Sequence, residues 1–222
     1  MGRFRFSATQ FLVALALLFF VTPFVEFFKN GDSIDSALMT LVLVSGVLAV
    51  GERRWKLVLA VALVLPAISS KWVNQFRPDL LPPEIHLVTN ILFIGFVLSQ
   101  FLYFILRAPR VNSEVLCAGI AGYLLLGILW MFAYVLAGRM IPNSFAFNAG
   151  TPVSQSLQGF DAFYFSFITL TTVGYGGIMP VSHVARSLAM TEAMTGTLYI
   201  AVFISRLAAL YSWQGFSSRD KN

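Results

Sequence analysis

Long apolar segments without charged residues are the feature that most limits how this chain can fold. Residues 85–106 and 115–138 carry no acidic or basic charge, and each exceeds the ~20 residues that a membrane-spanning helix needs. The whole chain agrees, since 58% of its residues are hydrophobic and only 11% are charged. Soluble domains have about 45–50% and about 25% respectively. The sequence therefore excludes disorder, a coiled coil and an ordinary soluble enzyme, and it indicates an all-α polytopic membrane protein.

Six transmembrane helices are predicted, over residues 11–28, 36–51, 57–70, 85–106, 115–138 and 182–213. The second and third are short, so a re-entrant or interfacial placement stays open for both. Trp55 and Trp72 flank the third at positions where interfacial tryptophans are common, which favours a full crossing. The basic cluster at residues 52–56 also favours six spans over four, because it reaches the basic side only if its neighbours cross.

The basic residues indicate how the chain is oriented. With a cytoplasmic N-terminus, ten of them lie on the inner side: Arg3, Arg5, Arg53, Arg54, Lys56, Arg107, Arg110, Arg206, Arg219 and Lys221. Five lie on the outer side: Lys29, Lys71, Arg77, Arg139 and Arg186. This excess agrees with the positive-inside rule, so we expect both termini in the cytoplasm and the protein in the cell membrane. Topology thus explains the net charge of +5, and no nucleic acid partner is expected.

A short apolar segment followed by a glycine-rich loop lies between the last two spans. The apolar part begins at Phe160 and is, at ~12 residues, too short to cross a membrane. It runs into Thr171-Thr172-Val173-Gly174-Tyr175-Gly176, and Pro180 follows. Irregular backbone at membrane depth is tolerated only where it is buried in protein or lines a water-filled cavity. This segment therefore predicts a re-entrant hairpin.

The loop resembles the selectivity-filter signature of potassium channels, which it matches at Thr172-Val173-Gly174-Tyr175-Gly176. The residues before it, including Tyr164, Phe165, Ser166 and Thr169, are similar to the pore helix of that family. The resemblance implies a pore domain at residues 111–214, after an amino-terminal four-helix membrane region at 1–110 and before a short cytoplasmic tail at 215–222. It extends over residues 115–213.

The resemblance also implies a chemistry. Four identical loops supply rings of backbone carbonyls that replace the hydration shell of K⁺, so we expect a homotetramer with K⁺ at Thr172, Val173, Gly174 and Tyr175. Gly174 and Gly176 accept the unusual dihedral angles that aligned carbonyls require. Val173 and Tyr175 are expected to point away from the ion and to pack behind the filter with Tyr164 and Phe165. No cofactor is expected beyond the permeant ions.

Four residues of the last span match positions that line the pore or serve as a hinge in the family. Gly196 corresponds to the hinge glycine of the inner helix, and Thr197, Ile200 and Ile204 follow the spacing of a cavity-lining face. Glu192 lies in the same span and is expected behind the filter. An intramembrane carboxylate is a functional candidate, and the alternative is a structural hydrogen bond to a pore-helix threonine.

The sequence departs from the family at two places. The fourth span lacks the arginine ladder of a voltage sensor, so weak voltage dependence is expected. Many members have an aspartate directly after the filter and some have a glutamate in the pore helix, where this chain has Gly177 and Ile168. The polar link between those two acids cannot form here. We expect a filter supported by packing, with little slow inactivation.

The expected function is passive, potassium-selective conduction in contact with membrane lipids, with the gating stimulus and any gating partner unknown. The alternatives within the class are a weakly selective cation channel and a non-conducting subunit. An intramembrane serine protease would need a Gly-x-Ser-Gly site and a partner histidine on a facing span, which the sequence lacks. A secondary transporter would show internal repeats with broken helices in both halves, and only one half has a re-entrant signal.

Overall fold

The computed structural model describes residues 8–29, 31–49, 54–77, 82–147 and 157–219, without the side chains of residues 26, 32, 75, 83 and 212–219. Within these ranges the chain forms helices and two short strands. In chain order they are α1 (Ala8–Val21), a 3₁₀ helix (Thr22–Phe27), α2 (Gly31–Ala49), α3 (Arg54–Phe76), α4 (Pro83–Arg107), α5 (Ser113–Met140), β1 (Phe145–Phe147), α6 (Gly159–Leu170), β2 (Ile178–Pro180) and α7 (His183–Arg219).

Five helical segments are long and apolar enough to cross a membrane, which makes the chain a multi-pass membrane protein. These segments are Ala8–Val25, Arg54–Asn74, Glu84–Arg107, Ser113–Met140 and His183–Tyr211. The apolar part of α2, Ser33–Ala49, is shorter. The third predicted span was too short, because its helix continues beyond Ser70 to Phe76. The last predicted span, 182–213, corresponds to the segment His183–Tyr211, although the helix itself continues to Arg219.

Local sequence signals account for two of the helix boundaries. Pro23 lies at the start of the 3₁₀ helix, where its missing N–H and fixed φ are tolerated, and α1 ends just before it. Asn112 precedes α5, and its side-chain oxygen accepts a hydrogen bond from the Val115 N–H at 2.9 Å. That cap satisfies one of the donors that a helix start leaves without an intrahelical partner.

The long helix α5 lies at the centre of the packing. It contacts α1, α4, α6 and α7, whereas α2 packs against α1 and α3 packs against α4. Small residues of α5 permit these close approaches. A Cβ at Gly127 would lie 2.6 Å from the Phe167 ring of α6, and one at Gly119 would collide with the Phe203 ring of α7. The four amino-terminal helices thus contact the carboxyl-terminal part mainly through α5.

Part of the sequence interpretation falls outside the described residues. Arg3, Arg5, Arg53 and Lys221, four of the residues that indicate the orientation, belong to this group. The undescribed residues also include the amino-terminal part of the cluster at 52–56 and the last residues of the expected tail at 215–222. The described residues therefore test the expected spans but not the orientation.

Candidate functional site

The predicted short helix before the glycine-rich loop is present as α6. It has 12 residues, and its buried positions are Ala162, Phe163, Phe165, Ser166, Ile168 and Leu170. The helix packs mainly against α5 and α7, and its Phe163 ring also lies 5.2 Å from the Phe19 ring of α1, between centroids. The helix ends at Leu170, directly before the Thr171–Gly176 loop.

A two-stranded sheet holds the two ends of this segment together. Strand β1 precedes α6, strand β2 follows the loop, and the two pair antiparallel with Ala146 opposite Met179. The Ser144 carbonyl continues the contact, because it accepts a hydrogen bond from the Val181 N–H at 2.8 Å. The short helix and the loop are therefore enclosed between paired strands, a feature that the sequence interpretation missed.

The loop backbone alternates between two conformations. The angle φ is positive at every second residue, 59° at Thr172, 56° at Gly174 and 82° at Gly176. Such alternation turns successive N–H groups towards one side of the chain. The Val173 and Gly174 N–H groups accordingly both donate to the Ile168 carbonyl, at 2.9 Å and 3.1 Å.

The carbonyl groups of the loop differ from its N–H groups in their hydrogen bonding. Among the described residues, no donor is bonded to the carbonyls of Thr172, Val173, Gly174 or Tyr175. All four residues are exposed in a single chain, so these carbonyl oxygens are accessible to a ligand such as water or a cation. The loop thus has four consecutive backbone carbonyls without a protein donor among the described residues.

Thr172 carries backbone strain at the start of this row. A β-branched residue at φ 59° is an outlier, because the left-handed region brings its Cβ close to the backbone. A hydrogen bond from its N–H to the Thr169 carbonyl, at 2.9 Å, holds this conformation. Strain of this kind persists only where the surrounding structure enforces it, and it is concentrated at functional sites.

The side chains expected to support the loop fall into two groups. Val173 and Tyr175 are 52% and 77% exposed, so within one chain they project outward rather than into a core. Phe165 is buried and packs against the rings of Tyr134 and Phe145, at 4.8 Å and 5.5 Å between centroids. It therefore anchors α6 to α5 and β1. The packing of Phe165 behind the loop stays a prediction.

Tyr164, Ile168 and Gly177 have different surroundings. The ring of Tyr164 lies 6.4 Å from that of Phe160 on the same helix, between centroids. Ile168 is buried, and its carbonyl is the acceptor for the two loop N–H groups. Gly177 is exposed, and a Cβ built there meets no atom within 4 Å.

Glu192 is fully buried between α5, α6 and α7. Its Oε1 lies 2.6 Å from the Ser166 hydroxyl, and its Oε2 accepts a hydrogen bond from the Tyr134 hydroxyl. The sequence interpretation placed Glu192 near the loop but named a threonine as its pore-helix partner. The residue is a serine instead, since Ser166 faces α7 whereas Thr169 donates to the Phe165 carbonyl of its own helix at 2.8 Å. Tyr134 was missed altogether.

The residues assigned to the inner helix separate by burial. Gly196 is buried, and a Cβ there would collide with the Leu170 carbonyl at the end of α6. Thr197, Ile200 and Ile204 are exposed and share one face of α7, which is mostly uncovered in a single chain. The helix continues through Gly196 without interruption.

Residues 123–212 match a protein family model described as an ion channel. Over 90 residues the chain is 34% identical to the inward rectifier potassium channel Kirbac3.1 of Paramagnetospirillum magnetotacticum. Over 91 residues it is 34% identical to two pore potassium channel b of Oryza sativa subsp. japonica. This part of the chain is therefore similar to potassium channels. The expectation of a channel rather than an intramembrane enzyme is confirmed by these matches.

The similarity to potassium channels covers one part of each protein. Each of the two matches takes in 40% of this chain, with 27% of the inward rectifier and 25% of the two pore channel. The chain thus spans about a quarter of the length of the curated relatives it matches. The matched range contains α6, the loop and most of α5 and α7, so it includes all the contacts of the candidate site described above.

Proposed function

We propose that this protein conducts K⁺ passively and selectively across a membrane. The observation that carries the proposal is the row of unpaired carbonyls at Thr172–Tyr175, produced by positive φ at every second residue. Such oxygens replace the hydration shell of a dehydrated cation, and rings of them are the known basis of potassium selectivity. The relatives that are named potassium channels support K⁺ as the permeant ion.

The proposed conducting unit is a homotetramer. One chain supplies a single row of carbonyls, and an ion can be surrounded only when four such rows face one another. The exposed apolar side chains agree with this, since Val173 and Tyr175 on the loop and Met190 and Met194 on α7 are all more than half exposed. Neighbouring subunits would cover them.

In the proposed membrane arrangement the chain crosses six times and α6 re-enters from the outer side. Both termini lie in the cytoplasm of a cell, and residues 111–214 form the pore domain. The end of α6 at Leu170 would direct the negative end of its helix dipole towards the cavity, which favours a cation there. Thr197, Ile200 and Ile204 would line that cavity, and Gly196 would lie beside the filter.

Potassium selectivity is expected when the purified protein is reconstituted in a planar bilayer. With K⁺ in excess on one side, Na⁺ in excess on the other and a low K⁺ concentration on the Na⁺ side, the current should reverse close to the potassium equilibrium potential. Protein-free bilayers provide the control for leak. A reversal potential near zero would instead indicate the weakly selective cation channel, and absence of current would indicate a non-conducting subunit.

Voltage dependence is expected to be weak. The only charged residues of α4 are Glu84 in its first turn and Arg107 in its last, so the helix holds no charge at membrane depth. One charge crossing 100 mV yields only ~2.3 kcal/mol, and steep gating requires several charges per subunit. The conductance–voltage curve in symmetric potassium should therefore be shallow, and Arg107→Gln should leave its slope unchanged. A steep sigmoid that flattens in Arg107→Gln would contradict this.

A further inference from the structure

Three helices meet at a chain of buried oxygen atoms behind the filter. The first of these oxygen atoms is the Tyr134 hydroxyl of α5, which contacts Glu192 Oε2 of α7. It continues from Glu192 Oε1 to the Ser166 hydroxyl of α6 at 2.6 Å, and from that hydroxyl to the Gly127 carbonyl of α5 at 2.7 Å. Tyr134, Ser166 and Glu192 are all buried, so water is not available as a substitute partner.

In this series of hydrogen bonds, one contact has no proton donor if the carboxyl group of Glu192 is ionised. A carbonyl can only accept, so the contact between Ser166 and Gly127 uses the single proton of the serine hydroxyl. The contact between Ser166 and Glu192 then needs a proton from the carboxyl group. An ionised carboxylate would instead face a serine oxygen with no hydrogen between them, at a distance of 2.6 Å.

We infer that Glu192 is a neutral carboxylic acid that donates its proton to Ser166 and so positions the pore helix behind the filter. Every contact then has one donor and one acceptor, in the order Tyr134, Glu192, Ser166, Gly127. The surroundings agree, since the ion pair found among the described residues joins Lys71 to Asp35 and none involves Glu192. The ionisable groups that face Glu192 are Tyr134 and, at longer range, Tyr123, both on α5. A buried charge without a cationic partner is costly, whereas a neutral acid with both oxygens bonded is not.

The chain of hydrogen bonds is connected to the filter through α6. Ser166 lies two residues before Ile168, whose carbonyl binds the N–H groups of Val173 and Gly174. One turn further along, Gly196 of α7 abuts Leu170 of α6. Glu192 and Gly196 thus hold α6 at two consecutive turns. Glu192 is thus a positioning residue. Its effect on K⁺ conduction rests on the proposed function, whereas its protonation does not.

The protonation is tested by infrared spectroscopy of the protein in lipid bilayers at neutral pH. The difference spectrum between wild type and Glu192→Gln should contain the carbonyl band of one protonated carboxyl group. In Ser166→Ala that band should move to higher frequency, because the acid loses the acceptor of its proton. A difference confined to the carboxylate bands would overturn the inference. This reading requires no conduction, so it stays informative even if the proposed function fails.

The positioning role is tested by comparing Glu192→Gln with Glu192→Leu. The glutamine amide reproduces the neutral acid, since its NH₂ donates to Ser166 and its oxygen accepts from Tyr134. We expect the K⁺ flux of Glu192→Gln to stay within about twofold of wild type, and that of Glu192→Leu to fall about tenfold, as the buried serine and tyrosine lose a partner. Equal losses in both variants would overturn the role, as would equal activity in both. If Glu192→Leu fails to assemble, Ser166→Ala replaces it, with an expected loss of flux in the same direction.

Discussion

Replacing Gly174 or Gly176 by alanine is expected to abolish potassium-selective conduction. The two glycines have φ of 56° and 82°, a region that brings the Cβ of an L-residue too close to the backbone. The cost is about 1–2 kcal/mol per residue, and it would arise in each of four subunits under the proposed assembly. Relief of this strain requires a rotation of the peptide group, which would turn a carbonyl out of the row. The measurement is the reversal potential and amplitude of the current under opposing K⁺ and Na⁺.

Gly177→Ala is the matched control for these two substitutions. A Cβ built at Gly174, Gly176 or Gly177 meets no atom within 4 Å of the same chain, so added volume affects the three positions alike. Only Gly177 lacks a positive φ. We therefore expect Gly177→Ala to conduct K⁺ selectively. Selective current in Gly174→Ala at the level of this control would show that the dihedral angle does not decide the filter geometry.

The membrane architecture could be predicted from the sequence because it depends on local composition. The apolar stretches at 85–106 and 115–138 correspond to α4 and α5 within a few residues, and the short apolar segment before the loop corresponds to α6. The loop conformation could be predicted for a similar reason, since it depends on glycine at fixed positions. Positive φ at Gly174 and Gly176 is what the motif implies.

The sequence interpretation failed where distant residues decide the structure. The third span was ended at Ser70 because Lys71 follows, yet α3 continues to Phe76. Two contacts with α2 account for this continuation. Lys71 forms an ion pair with Asp35 at 2.8 Å, and the Trp72 indole donates to the Thr40 hydroxyl at 3.2 Å. Neither contact leaves a local signal, because each joins residues more than thirty positions apart.

The same limit applies to the surroundings of Glu192. Its position in an apolar helix marked it as a candidate, but the identity of its partners depends on the rotation of three helices about their axes. Tyr134 is 58 positions away in the sequence and Ser166 is 26 positions away. The antiparallel pairing of β1 with β2 was missed for a related reason, since three-residue strands have too little alternation to be recognised.

Replacing Gly196 by alanine is expected to destabilise the assembled protein. A Cβ at this position would collide with the Leu170 carbonyl, and it would lie 2.8 Å from the Leu170 Cδ1. Backbone atoms cannot move aside as a flexible side chain can, so α7 and α6 would have to separate. Overpacking of this kind costs about 1–3 kcal/mol, against at most ~1 kcal/mol gained from the better helix propensity of alanine. The measurement is the midpoint of thermal unfolding in detergent, together with K⁺ flux in liposomes.

Gly95→Ala is the control, and the pair of substitutions also separates two roles for Gly196. Both glycines lie inside helices, but a Cβ at Gly95 meets only the Leu129 Cδ1 at 3.6 Å, an ordinary contact. We therefore expect Gly95→Ala to be neutral or slightly stabilising, because it gains helix propensity without a collision. If Gly196 serves as a hinge alone, alanine should change the flux while leaving the unfolding midpoint at or above that of wild type. A lowered midpoint in Gly196→Ala, with none in Gly95→Ala, would instead establish that close contact with the end of the pore helix requires a glycine here.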